Sequence, residues 1–146
     1  MSGKSFSFFY FLSSVLFIVH FLSAGCVTAE PRKTLPASEV LERLDQSKYT
    51  TAQIKEYLKS IEGSRIKGEG KVVNVLGGKL GKMRVTVLAP GSRPKKGYNI
   101  VLYTGQNAVA ELNINDRISL EGELGRASFI GGGSIDVKAA VYRKLK

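Results

Sequence analysis

Residues 65–72 read RIKGEGKV. In an extended chain Ile66, Gly68, Gly70 and Val72 fall on one side, and Lys67, Glu69 and Lys71 on the other. Alternation of this kind is the pattern of a half-buried β-strand. Glycines on the buried side, and the break in alternation at Val72-Val73, predict a strand that bends or bulges.

The period of two continues outward from this stretch. After a loop opened by Gly77-Gly78, Met83, Val85 and Val87 alternate with Arg84 and Thr86. Pro90-Gly91-Ser92-Arg93-Pro94 is a loop, and Ile100 and Leu102 then alternate with Val101 and Tyr103. Gln106 to Leu112 predicts a short helix or a turn. Ile118, Leu120, Gly122 and Leu124 form a fourth strand face. Gly131-Gly132-Gly133-Ser134 is a loop before a last strand with Ile135, Val137, Ala139 and Val141 facing one way. Five short strands, each with one buried face, are expected to close into a small barrel, because a flat sheet would leave its edges exposed. The expected class is mainly β: a small five-stranded barrel over 64–146 with an N-terminal helical segment over 37–63.

In that segment Ser38 is the expected N-cap of a first helix carrying Val40, Leu41 and Leu44. Thr50-x-x-Gln53 is a capping box for a second. Ile54, Tyr57, Leu58 and Ile61 make its apolar stripe, and Gly63 its stop. Residues 30–36, EPRKTLP, read as a linker.

Residues 1–29 have the layout of a secretory signal. Lys4 is the only charge, an apolar run extends from Phe6 to Leu22, and small residues follow. The run is also at the short limit for a membrane span, which keeps an uncleaved anchor open. Cleavage after Ala29 would remove Cys26. Alternatively, Leu22-Ser23-Ala24-Gly25-Cys26 resembles a bacterial lipobox, in which Cys26 would become the lipidated N-terminus. The expected location is exported: periplasmic or secreted, or lipid-anchored to the outer membrane.

After Ala29 the chain has neither cysteine nor histidine. No disulfide framework is available. The usual general base, the commonest metal ligand and every Ser-His or Cys-His nucleophile are missing as well. Asn113-x-Asn115-Asp116 has part of a calcium-loop spacing, but no further carboxylate follows at the right interval, so a turn is expected. The reading is therefore a protein that is not an enzyme, with no cofactor and no metal.

The formal charge is +10, and it is unevenly spread. Residues 63–98 hold nine basic residues against one acid, Glu69. Attraction to polyanions should be local to that segment.

Two motifs carry a family resemblance. Ile66-x-Gly68-x-Gly70-x-Val72 resembles the first strand of an OB-fold. Asn115-Asp116-x-Ile118-x-Leu120-x-Gly122-x-Leu124 is similar to the stretch opening the fourth strand of many OB domains, with Asn115 where a glycine is usual. The resemblance covers about residues 64–143 and extends to the tRNA-anticodon-binding-like OB families, including their exported bacterial members. It implies a binding face on the second and third barrel strands and the loops beside them. On that face the expected polyanion-binding residues are Lys67, Lys71, Lys79, Lys82, Arg84, Arg93, Lys95 and Lys96, with Tyr98, Tyr103 and Phe129 as stacking groups. The expected partner is a polyanion: single-stranded nucleic acid, an acidic glycan or an anionic lipid headgroup. The alternative is an envelope module that holds a protein partner without binding polyanions. Charge reversal at Lys82, Arg84 and Lys96 should abolish polyanion binding, and reversal at Arg117, Arg126 and Lys144 should not. Intact mass decides the fate of Cys26, since a retained Cys26 would carry acyl chains.

Overall fold

The 65–72 alternation forms a strand, and that strand closes the barrel. The structure is a computed structural model that describes residues 32–77, 82–105 and 111–146. In chain order the elements are β1 (Thr34–Pro36), α1 (Ala37–Arg43), α2 (Thr51–Ser60), β2 (Arg65–Gly77), β3 (Lys82–Leu88), β4 (Ile100–Gly105), β5 (Arg117–Ser128) and β6 (Ser134–Lys144).

β2 is long enough to serve two neighbours. Arg65 to Lys71 pair antiparallel with β5, and Lys71 to Gly77 pair antiparallel with β3. The register shifts between Val72 and Asn74, at the predicted break. β3 pairs with β4 antiparallel, β4 with β6 in parallel, and β6 with β5 antiparallel. The circuit β2-β3-β4-β6-β5 returns to β2. A five-stranded closed barrel with this order, and with its third and fifth strands parallel, is the OB fold.

The tight curvature requires missing side chains. A Cβ at Gly70 would collide with Val87 Cγ1 and lie 2.7 Å from the Leu88 carbonyl oxygen. One at Gly122 would lie 2.6 Å from Val137 Cγ1 and 2.7 Å from the Lys138 carbonyl oxygen. Both glycines therefore let the facing backbone approach more closely than any side chain allows. The space inside is filled by Ile66, Val72, Val85, Val87, Ile100, Leu102, Ile118, Leu120, Ile135 and Val137.

The helical segment joins the same core through Val40, Leu44, Ile54 and Ile61. The Thr50 capping box is present: Gln53 N–H donates to Thr50 Oγ1, and Thr50 N–H donates to Gln53 Oε1 at 2.9 Å. α1 starts earlier than predicted. Its N-cap is Pro36, with no side-chain cap, so Ser38 lies inside the first turn.

Three further expectations are corrected. Residues 34–36 are not tether but β1, paired in parallel with Arg65–Lys67, and Leu35 is 2% exposed. Burying Leu35 against the core favours docking over free linker. In β6 the inward series does not continue through Ala139 and Val141. Ala139 has φ 46 and is exposed, Ala140 turns inward, and Val141 is 68% exposed. The register of β6 on β5 slips there, so one extra residue inverts the facing of all that follow. Phe129, expected as a stacking group on the surface, packs against the core, and its neighbour Ile130 is the exposed one.

The turn before β5 shows why asparagine can replace the usual glycine. Asn115 has φ 76, a left-handed conformation that asparagine tolerates. Asp116 fastens the turn by accepting from Asn113 N–H and Lys144 Nζ, each at 2.8 Å. Those bonds, Lys144 foremost, hold its carboxyl below the usual range.

Gly122→Ala should destabilise the protein by about 1–3 kcal/mol through overpacking. Gly105→Ala, with nothing within 4 Å of its Cβ, should stay within about 0.5 kcal/mol of wild type. Urea unfolding of the two variants checks the contrast.

Candidate functional site

Alternation along β3, β4 and β6 decides what stands on the outside of the barrel. With Val85, Leu102 and Val137 turned inward, Arg84 and Tyr103 lie side by side in register on the outer face, and Thr86, Val101 and Asp136 form the next row. β5 contributes Arg126 from a second irregularity, between Leu124 and Ala127. Strict alternation after Leu124 would send Arg126 into the core. The slip brings it out beside Asp136.

These residues border a groove of about 760 Å³, lined by Lys82, Tyr103, Arg126, Asp136, Lys138 and the bulged Ala139 among others. Tyr103 is half-buried among its lining residues. Arg84 lies alongside, with Nη2 3.5 Å from the Tyr98 hydroxyl. Its Nε is buried and has no hydrogen-bond partner among the described residues.

The electrostatics favour an anionic occupant. The ion pairs of the described residues join Arg32, Lys48, Arg65, Arg117 and Lys144 to carboxylates. Lys82, Arg84, Arg126 and Lys138 have no carboxylate within 4.0 Å among the described residues. The one acid on the face, Asp136, is partly buried. Burial pushes its carboxyl above the ordinary range, although Arg84, Arg126 and Lys138 pull it back.

The residues expected from sequence divide between several surfaces. Lys82, Arg84, Tyr98 and Tyr103 come together at or beside this groove. Arg93, Lys95 and Lys96 are exposed in the loop from β3 to β4, at the opposite end of these strands from Lys82. That loop meets the glycine loop, where a Cβ on Gly132 would lie 3.4 Å from Pro94 Cα. Lys67 and Lys71 stand on the β2–β5 side, in register with Glu121 and Arg117. Phe129 is taken up by the core. Lys79 and Cys26 lie outside the described residues.

Arg126, offered by the sequence as a residue remote from the expected face, lines this groove. A charged residue in an inward-facing slot of the alternation was the available signal. Lys138 and Asp136 were readable as outward-facing, but nothing local placed them beside Lys82 and Tyr103. Among the described residues no cluster of three or more His, Cys, Asp or Glu side chains could hold a metal ion.

No protein-family model matches the chain, and no curated protein matches it. Solved structures similar to it include a replication protein A heterotrimer bound to single-stranded DNA, at 19% identity and a TM-score of 0.39. That match covers 57% of this chain and 58% of the other, so the chain spans a little over half of it. A small single-stranded DNA-binding protein from Streptomyces coelicolor matches at 17% identity and a TM-score of 0.42, over 57% of this chain and 95% of that one. A Klebsiella pneumoniae lipoprotein, provisionally assigned as nucleic-acid-binding, matches at 14% identity and a TM-score of 0.47, over 79% and 92%. The OB assignment itself rests on the strand order and pairing above.

Asp136 has a measurable signature. Its raised pKa means that the folded state holds the proton more tightly than the unfolded state, so the ionised group costs stability at neutral pH. That cost is relieved as pH falls through the raised pKa. Asp136→Asn should therefore be more stable than wild type near neutral pH, and the difference should shrink as pH drops to about 4. Thermal unfolding across that range checks it.

Proposed function

We propose that this chain is an exported, non-catalytic OB-fold module that binds a polyanion in the β3–β4–β6 groove, single-stranded nucleic acid being the class its chemistry fits best. One observation carries the reading. Lys82, Arg126 and Lys138 line one groove with a half-buried tyrosine, Tyr103, with Arg84 beside them, and none is neutralised by an ion pair among the described residues.

Cations spaced along a groove attract successive phosphates and release their counterions. An aromatic ring lining the groove offers a stacking surface to any base, because every base has a π-face. Tyr103 would supply that surface. Asp136 would position the surrounding cations and could accept from a base amino group. No bond is made or broken in such an event, which suits a chain lacking histidine and cysteine after Ala29. Export rests on the signal-like residues 1–29, and Cys26 would supply a lipid anchor if it is retained.

The test is titration with labelled single-stranded DNA, heparin and anionic vesicles at about 50 and about 200 mM salt, where phosphate contacts show themselves. Single-stranded DNA should bind most tightly, with a steep salt slope. In Lys82→Glu/Arg126→Glu the slope should fall by about 1.4, the loss of two single-strand phosphate contacts. Lys55→Glu/Lys59→Glu, on exposed positions of α2, should leave it unchanged. Preference for heparin or vesicles would move the assignment to an acidic glycan or a lipid headgroup. Binding of none would overturn the reading and leave the envelope protein-interaction module.

A further inference from the structure

We infer that the bound strand does not end at the β3–β4–β6 groove but crosses the bulge in β6 and continues along a second basic groove on the β2–β5–β6 side of the barrel. This rests on the reading just proposed.

The second groove has a volume of about 520 Å³ and is lined by Arg65, Lys67, Glu121, Val141 and Arg143 among others. Its charge resembles that of the first: three cations and one carboxylate in each. Arg65 is held by Glu121 at 3.0 Å. Lys67 and Arg143 have no carboxylate within 4.0 Å among the described residues. They are both exposed.

The two grooves meet along one backbone. Ala139 and Ala140 line the first, and Val141, Tyr142 and Arg143 line the second. The left-handed Ala139 inverts the facing of β6 at this point, which turns Val141 and Arg143 to the outer surface. With strict alternation from Val137, both would point inward. Val141, 68% exposed at the junction, is an apolar surface with no packing role in the core cluster. It suits contact with a base or sugar passing between the two sets of cations. With one residue spent in the bulge, the strand advances about 20 Å from Asp136 to Arg143, at about 3.3 Å per residue. At the spacing of about 3.4 Å per phosphate along one strand of a stacked duplex, this stretch spans about six of them. Such a path falls within the range of about 4–16 nucleotides that one OB barrel covers.

The experiment compares binding of oligothymidylates of about 5 and about 15 nucleotides, at either end of that range. Wild type should bind the longer one at least tenfold more tightly. Lys67→Ala/Arg143→Ala should erase most of that advantage while leaving the shorter oligonucleotide's affinity within twofold. Val141→Glu, at an exposed position that does not threaten the fold, should do the same. Lys55→Ala/Lys59→Ala removes equal charge from α2 and should affect neither length. Equal wild-type affinity for the two lengths, or equal losses on both in the Lys67/Arg143 variant, overturns the path and leaves the first groove standing. Failure of wild type to bind either length overturns both readings.

Discussion

Everything in this protein depends on one strand holding two partners. β2 hydrogen-bonds to β5 along its first half and to β3 along its second, and the irregularity between Val72 and Asn74 turns it from one to the other. Without that bend β2 would lose one of these two partners and the circuit would open into a sheet, with unpaired backbone groups along the released strand. With it, every barrel strand has two neighbours and the apolar faces converge on one core. Gly70 and Gly122 belong to the same constraint, because the facing strands come too close there for any Cβ.

The surface follows from where the alternation slips. Regular strands would present cations at fixed intervals around the barrel, each beside whatever its neighbour strand happened to carry. Two slips change this. One in β5 brings Arg126 out beside Asp136, and one in β6 opens Ala139 and reverses the facing of Val141 and Arg143. The same irregularities that let a small barrel curve therefore gather Lys82, Arg126 and Lys138 into the first groove, away from the acids that pair with Arg32, Arg65 and Arg117. The helical segment contributes to the core rather than to these grooves, through Val40, Leu44, Ile54 and Ile61. Its charges are offset locally, as in the Lys48–Glu42 pair.

Much of the barrel was readable in order along the chain. Strand alternation, the Val72 break, the Thr50 capping box and the inward sets of β3, β4 and β5 are local patterns, and local patterns are what periodicity reports. The misplaced elements share a cause. Two prolines make the stretch around Leu35 read as a linker, yet burial on β2 outweighs their effect. Ala139 departs from strict alternation because a one-residue slip inverts the facing of everything after it, and an alanine in the slot gives no sign of it. Phe129 sits beside a glycine loop, and only the fold shows that the core takes it up while Ile130 is left in solvent.

The sequence by itself determined the class of this protein: a mainly β chain, rich in positive charge, with no histidine or cysteine beyond Cys26 and a turn at Asn115 compatible with an OB barrel. It also determined that the charge would be concentrated, because residues 63–98 carry most of it. Only the tertiary structure decided which cations share a surface. Lys82 and Arg126 are far apart in sequence and lie on strands that do not pair with each other, yet they border one groove because β4 and β6 lie between them. Lys67, close to Lys82 in sequence, faces the other side of the barrel. Charge adds along the chain, but a field is made by proximity in space, and proximity is set by which strands pair and where their register slips.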